Sequence, residues 1–447
     1  MRYLDQIQSS LDYIEENLKT DITPEELSAA AGFSVYHYYR LFQRAVGMPV
    51  MRYITRRRLL WAAYDLARGG KIVDVALTYG FDTAAGFYKA FVREFNCGPS
   101  EYTKRFRAGK PYRIHLLQEE RIMMTATKAK EILKNWDMQH AAVRNVLYDT
   151  GEINDHVFEV GDAYYLKICA NLGAVRNNIT IATALDHAGL ATAVPVKTRD
   201  GKSFAAEGEL YCLLTKRIPG GPANVRMLLE GDWRQKAYDL GLLLGKLHQV
   251  LKANDGIVCN ERNIFEEVRT QWLEPAKKAM GLRADFCEDY LRVIETLDGK
   301  LPEQIIHRDP NPANLVMEDG KLTGFLDFDL SQRSIRVFDP CYAATAILSE
   351  IIDERGGEDL SRWMELYQGI IHGYDAVAVL TESEKQALPY VVLSIQLICV
   401  GYFSGIEKLE SFAEKNIRMT RWLMEHMEGL RFCPAWNRAE RCGSPAD

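Results

Sequence analysis

The chain lacks any paired-cysteine motif. Its nine cysteines stand singly at Cys97, Cys169, Cys212, Cys259, Cys287, Cys341, Cys399, Cys433 and Cys442. That dispersal excludes the ligand spacing of a zinc site and a disulfide framework. An odd set of isolated thiols fits a reducing, cytoplasmic location. A long apolar run is also missing. The longest, Ala387 to Phe403, is interrupted by Pro389, Ser394 and Gln396. At about 17 residues it sits at the short limit for a membrane span, so a buried helix and no membrane partner are expected. The N-terminus opens on an amphipathic pattern rather than an apolar signal core. Nor is there a large charge excess, since the net charge is −6 over 447 residues. With 47% hydrophobic and 26% charged residues, the composition is globular. The length is enough for two or three domains.

The small charge is unevenly spread. Residues 1–110 hold 16 Lys/Arg against 12 Asp/Glu, a balance of +4, and the rest hold 39 against 49, a balance of −10. A basic head on an acidic body suggests that a polyanion meets the head alone. In that head, Leu4, Ile7, Leu11, Ile14 and Leu18 recur at helical spacing. Thr23-Pro24-Glu25-Glu26 reads as an N-cap, a first-turn proline and first-turn acids. The short helix ends at Gly32, and another carries Tyr38, Phe42 and Val46. The pattern then repeats with Gly80-Phe81, followed by Phe87, Phe91 and Phe95. A longer helix, Val50 to Arg68, joins the two units and carries Arg52, Arg56, Arg57 and Arg58. The last three are expected to be solvated, with phosphate contacts open to them. Two helix–turn–helix units on one rigid helix can present two recognition helices to successive major grooves.

The run Ile72-Val-Asp-Val-Ala-Leu-Thr-Tyr-Gly-Phe, then Phe87-Tyr-Lys-Ala-Phe and Gly98-Pro-Ser-Glu-Tyr102, resembles the signature of the AraC-type DNA-binding domain over residues 3–107. The resemblance implies double-stranded DNA as partner. It implies that Tyr36, His37, Tyr39 and Arg40 read bases, with Arg40 able to grip a guanine edge. In the second unit Ala84, Ala85 and Gly86, with Lys89 one turn on, supply few hydrogen bonds. That half is expected to position more than to discriminate. Tyr38 is expected in the core.

After residue 140 the pattern becomes β-rich, with strands expected over Val143 to Tyr148, Val157 to Val160 and Tyr164 to Ile168. Further on stands His307-Arg-Asp309-Pro-Asn-Pro-Ala-Asn314-Leu-Val, followed by Gly324-Phe-Leu-Asp327-Phe-Asp329. This spacing sets two acids and an amide around one point. Phosphoryl transfer from a nucleotide needs an acid to take the proton of the attacking hydroxyl, and an Asn and an Asp to hold magnesium.

The H-x-D-x-x-x-x-N spacing with a following D-F-x resembles the catalytic and metal loops of the kinase fold. It is most similar to the aminoglycoside phosphotransferase/choline kinase branch, over about residues 130–430. Asp329 stands where a strict kinase motif has Gly. The resemblance implies Asp309 as catalytic base, Asn314 and Asp327 as metal ligands, and Lys167 on the phosphates. It also implies Gly151 and Asn154 in a hairpin over the phosphates, and the backbone of Leu213 to Thr215 at an adenine edge. Cofactors would be ATP (or GTP) and Mg2+. Where this family carries a glutamate to orient the lysine, the chain has Asn178; Asp186 lies too far along. His248 and Asp339-Pro340 read as structural.

The fold class is therefore multidomain: an all-α double helix–turn–helix DNA-binding domain plus an α+β two-lobed protein-kinase-like domain. The expected boundaries are 1–108, a linker 109–129, the kinase-like domain 130–430 and a mobile tail 431–447. Two functions stay open. One is a transcriptional regulator that also phosphorylates a small hydroxylated acceptor. The other is a regulator whose kinase-like domain only senses a ligand or nucleotide. Acceptor, operator, sense of regulation and oligomeric state have no readable signal.

Overall fold

The computed structural model describes residues 2–46, 48–106, 108, 111, 126–147, 153–208, 210–254, 257, 259, 261–352, 358–406 and 409–434. The chain divides into two compact units. The first is Met1–Ala170 with Pro195–Arg217, and the second Asn171–Val194 with Ile218–Asp447.

The first unit begins with seven helices: α1 (Arg2–Asn17), α2 (Pro24–Ala30), α3 (Val35–Val46), α4 (Val50–Ala67), α5 (Ile72–Thr78), α6 (Ala84–Phe95) and α7 (Pro99–Arg105). Ile7, Leu11 and Ile14 of α1 are buried with Leu27, Tyr38 and Phe42 in one core. Thr23 caps α2 in a reciprocal box with Glu26, and Pro24 takes the first helical position, where its missing N–H costs nothing. A second core gathers Ala76, Tyr79, Phe87, Phe91, Phe95 and Tyr102. The joining helix α4 serves both, giving Tyr53 and Ile54 to the first and Leu59, Ala62 and Ala63 to the second.

The arginines of α4 depart from expectation. Arg56 and Arg57 are buried, not solvated. Arg57 Nη2 donates to Glu15 Oε2 at 2.9 Å, and its Nε pairs with Oε1 of the same carboxylate. Trp61 Nε1 adds a third bond to Glu15 at 3.3 Å. Arg56 Nε lies 3.3 Å from Glu94 of α6. Arg58 donates to the carbonyls of Leu18 (2.9 Å) and Thr20 (2.6 Å). Helical periodicity could not show this, because each partner comes from another segment of the chain. A buried arginine is retained only where a carboxylate answers it.

Next come α8 (Ala126–Ile132), a 3-10 turn Leu133–Trp136, and strands β1 (Val143–Leu147), β2 (Ile153–Val160), β3 (Tyr164–Cys169), β4 (Ala205–Glu207) and β5 (Leu210–Lys216). They form one antiparallel sheet in the order β1-β2-β3-β5-β4. β2 starts four residues earlier than its apolar run suggested, and Lys167 sits within β3 rather than at its end. Phe158, Val160, Leu166, Ile168, Cys212 and Leu214 pack one sheet face against Ile132, Leu133 and Trp136. The edge strand β1 meets the helical head. Asn96, the left-handed C-cap of α6, donates from Nδ2 to the Asn145 carbonyl at 2.8 Å. Leu147 packs against the second helical core. Most of the expected linker 109–129 lies outside the described residues.

The second unit holds α9 (Leu172–His187), β6 (Gly221–Pro222), α10 (Val225–Leu229), α11 (Trp233–Ala253), α12 (Ile264–Glu267), a π turn Val268–Trp272, α13 (Leu273–Met280), α14 (Ala284–Leu297), β7 (Glu303–Ile306), β8 (Leu315–Glu318), β9 (Lys321–Phe325), β10 (Gln332–Ile335), α15 (Phe338–Ile351), α16 (Glu358–Asp375), α17 (Glu382–Ser404) and α18 (Glu410–Glu425). Two short sheets, β10-β7 and β6-β8-β9, carry the loops of interest. α11 and α16 pack backbone to backbone: a Cβ on Gly241 would meet the Ile370 carbonyl at 2.0 Å, and one on Gly373 the Tyr238 carbonyl at 2.0 Å. α17 is the one described helix long and apolar enough to cross a membrane, and 67% of its most apolar window is buried in this unit. Residues at the start of the expected mobile tail are held. Gln368 Nε2 donates to the carbonyls of Gly429 and Arg431 at 2.8 and 2.7 Å, and the Phe432 ring packs on His372. Residues 435–447 lie outside the described set.

Candidate functional site

The loop after β7 carries Asp309, and one buried carboxylate holds it in place. Asp339, fully buried at the start of α15, accepts from the His307 N–H at 2.8 Å and the Arg308 N–H at 2.9 Å. His248 of α11 donates from Nε2 to Asp339 at 2.9 Å, and its Nδ1 meets the Tyr374 hydroxyl of α16 at 2.7 Å. Burial alone would push the Asp339 carboxyl up. The hydrogen bond and charge of His248, with the His307 contacts, outweigh it and hold the carboxyl below the usual range. His248 and Asp339 thus have the structural place that the sequence suggested.

These bonds keep Arg308 at φ +75°, a left-handed conformation that costs a non-glycine residue about 1–3 kcal/mol. The next residue, Asp309, is thereby presented on the loop. Asn311 Nδ2 donates to its Oδ1 at 2.9 Å, and Asn314 Nδ2 to its Oδ2 at 3.1 Å and its carbonyl at 2.9 Å. Burial holds the phenol of Tyr342, on α15, well above its ordinary value, and the Asp309 carboxylate adds to this.

The second loop is stitched to the first. His307 Nε2 donates to the Leu326 carbonyl at 2.9 Å, and its ring packs between Phe325 and Phe328. The Leu326 N–H donates to the Asn314 carbonyl at 2.8 Å. These bonds bring the expected base and the two expected metal ligands together. Asp327, at φ +61°, is exposed. Asn314 spends its amide nitrogen on Asp309, so within its side chain Oδ1 is the atom that could serve a metal. An amide oxygen and a carboxylate are hard oxygen donors, and they fit magnesium. Gly324 lets β9 approach: a Cβ there would lie 1.7 Å from the Ala191 carbonyl.

Asn178, on α9, is largely buried. Its Nδ2 donates to Asp329 Oδ1 at 3.2 Å, so the amide and the acid that depart from the motif meet each other. Neither this contact nor those of Asn311, Tyr342 and Arg308 was read from the sequence. Tyr342 falls three residues after Asp339, one helical turn on, and that spacing was its only available signal.

In the first unit, the β3–β5 register sets Lys167 opposite Leu213 and Tyr165 opposite Thr215. Directly paired residues share a face, so Lys167, Leu213 and Thr215 line the sheet face away from the Leu166–Ile168 core. Asn154 is the second residue of β2, and its side-chain oxygen accepts locally from the His156 N–H at 2.9 Å. Gly151 lies outside the described residues.

On α3, Tyr36 is 75% exposed, and the Arg40 guanidinium lies 5.9 Å from its ring centroid. His37 and Arg40 are exposed, whereas Tyr39 is half-buried against the first core. Tyr38 is fully buried, as expected. On α6, Ala84, Ala85 and Lys89 are exposed. So is Tyr88, which the sequence reading passed over because a tyrosine beside buried Phe87 looks like core.

Two family models match. A helix-turn-helix domain covers residues 27–105, and the phosphotransferase enzyme family covers residues 147–380. An uncharacterised HTH-type transcriptional regulator of Bacillus subtilis is 35% identical over 25% of this chain and 39% of its own length. The chain thus spans about two fifths of that relative. An HTH-type transcriptional activator of Providencia stuartii is 36% identical over 22% of this chain and 72% of its own. A solved microcompartment-associated aminopropanol kinase has a TM-score of 0.50 at 17% identity, over 69% of this chain and 100% of that one. That likeness is one of fold.

Proposed function

Since the chain belongs to the phosphotransferase enzyme family and opens with a helix–turn–helix domain of the HTH-type transcriptional regulators, we propose that it is a DNA-binding regulator that transfers the terminal phosphate of ATP or GTP to a hydroxyl of a small acceptor in the cytoplasm. The supporting observation is the joined loop pair, in which Asn314 donates to Asp309 and pairs through its carbonyl with the residue before Asp327. Asp309 takes the proton of the acceptor hydroxyl. The hydroxyl oxygen then bonds to the terminal phosphorus, the bond from that phosphorus to the bridging oxygen breaks, and a phosphate ester and a nucleoside diphosphate leave. Asn314 and Asp327 would hold magnesium, which when bound neutralises phosphate charge. Lys167 would steady the phosphates, with Leu213 and Thr215 along the same sheet face. Tyr36, His37 and Arg40 would face bases, and Ala84, Ala85 and Lys89 would position the second helix.

The test compares two variants of the full chain. Asp309→Asn should lose transfer yet keep nucleotide affinity, because it acts on the acceptor side. Asp327→Asn should lose both, because it removes a metal ligand. Equal loss of nucleotide affinity in both variants would contradict these roles. Asn178, an amide where the resemblance places a glutamate, supports a second reading in which this domain only senses its ligand. Nucleotide binding without turnover toward any acceptor would favour it.

A further inference from the structure

Arg308 narrows the chemistry that the acceptor carries besides its hydroxyl. The side chain is 17% exposed. Its guanidinium lies 4.0 Å from the centroid of the Phe338 ring, and its Nη2 is 4.0 Å from Glu267 Oε2. Glu267 has a nearer claimant, Arg262, at 3.5 Å. One carboxylate between two guanidiniums leaves the cluster with a net positive charge. Among the described residues, no acceptor lies within hydrogen-bond distance of the Arg308 guanidinium, although an arginine carries five donors. Two other arginines with little exposed side chain are answered in full. Arg336 grips Glu384 through two bonds of 2.7 Å each, and Arg57 grips Glu15 through two.

Burial lowers the Arg308 pKa, with Glu267 opposing. The guanidinium is thus partly desolvated, with donors that still reach solvent, in a backbone conformation that favours glycine. Part-buried donors that are short of protein acceptors are available to a ligand. The location is specific as well. Arg308 immediately precedes the base, and their Cα atoms are about 3.8 Å apart. Tyr342 lies in the electrostatic reach of both Asp309 and Arg308.

We propose that Arg308 reads an anionic group, a carboxylate or a phosphate, carried by the acceptor beside the hydroxyl that Asp309 serves. The planar fork of a guanidinium matches either group through two parallel bonds. This rests on the phosphotransferase reading for its account of the hydroxyl, but not for anion binding itself. Neutral polyols and amino alcohols would bring the guanidinium no negative charge and no two-oxygen fork.

The experiment uses the full chain with magnesium and nucleotide, and four small probes: glycerate, glycerol 3-phosphate, glycerol and 1-amino-2-propanol. Phosphate transfer is measured with ATP, and calorimetric binding with a non-hydrolysable analogue. One of the two anionic probes should be preferred over glycerol by about tenfold or more in kcat/KM, and the two anionic arms tell carboxylate from phosphate. Arg308→Gly, which suits the left-handed backbone and so keeps the loop, should erase that preference through KM. Arg308→Lys should restore part of it. Preference for glycerol or the amino alcohol, or a preference untouched by Arg308→Gly, overturns the proposal while leaving phosphoryl transfer intact. Binding of an anionic probe that depends on Arg308, with no transfer to any probe, would sink the phosphotransferase reading and uphold the anion site. Absence of Arg308-dependent binding of either anion overturns the anion site in every case.

Discussion

Asn178 and Asp329 each differ from the motif they resemble, and the structure joins them by one hydrogen bond of 3.2 Å. Restoring only the glutamate would set two carboxylates against each other. Asn178→Glu should therefore lower stability by about 1–3 kcal/mol, through the lost bond and the like charge. The double variant Asn178→Glu with Asp329→Gly removes the conflict and should recover most of that loss. Thermal unfolding of the two variants checks this; a single variant as stable as the parent would mean the contact contributes nothing. At this scale, the sequence showed the groups that follow from chain spacing. Asp309, Asn314 and Asp327 were legible because the loops that carry them are short and their separations fixed. Arg308 was not, because its meaning comes from Phe338 and Glu267, on other helices, and from a φ that no spacing reports.

Among the elements, the loop after β7 depends on three helices. α11 supplies His248, α15 supplies Asp339 and α16 supplies Tyr374. The native Asp339 carboxyl is held below its unfolded value of about 3.9. Its contribution to stability is thus complete above that value and lost as pH falls through the lower native one. Asp339→Asn should flatten the acid limb of the stability profile. At neutral pH it should cost about 3–5 kcal/mol, as breaking buried ion pairs does. Denaturant titrations between neutral pH and acid would measure both, and an unchanged acid limb would assign the acid sensitivity to other carboxylates. Helix existence was largely readable from apolar periodicity and caps, as at Thr23, which stands in a reciprocal box. The buried arginines of α4 were not, since a solvated and a paired arginine look alike in one helix. The start of β2 was missed because the polar run Asn154-Asp155-His156 follows its first residue.

In the whole molecule, the helical head and the first sheet belong to one compact unit. Asn96 caps the second recognition helix and donates to β1, the edge strand of the sheet that presents Lys167. Nucleotide on that sheet should therefore shift DNA affinity, by about 1–3 kcal/mol, with an equal effect of DNA on nucleotide affinity. Titrating duplex DNA at several salt concentrations, with and without magnesium-nucleotide, checks both parts. Affinity should fall steeply with salt. DNA binding that ignores a nucleotide shown to bind would make the two activities independent. The presence of two folds on one chain was legible from their separate motifs. Their contact was not, because it depends on Leu147 and one backbone carbonyl.

That contact bears on how such a fusion persists. An open strand edge invites pairing with other chains, and here the head lies along it. A regulator joined only by a tether can be deleted without harm to its neighbour. This head doubles as a cover, so deleting it would uncover Leu147 and the Asn145 carbonyl together. Loss of the gene segment would then be punished through solubility, whatever became of regulation, and the pair would be inherited as a single piece.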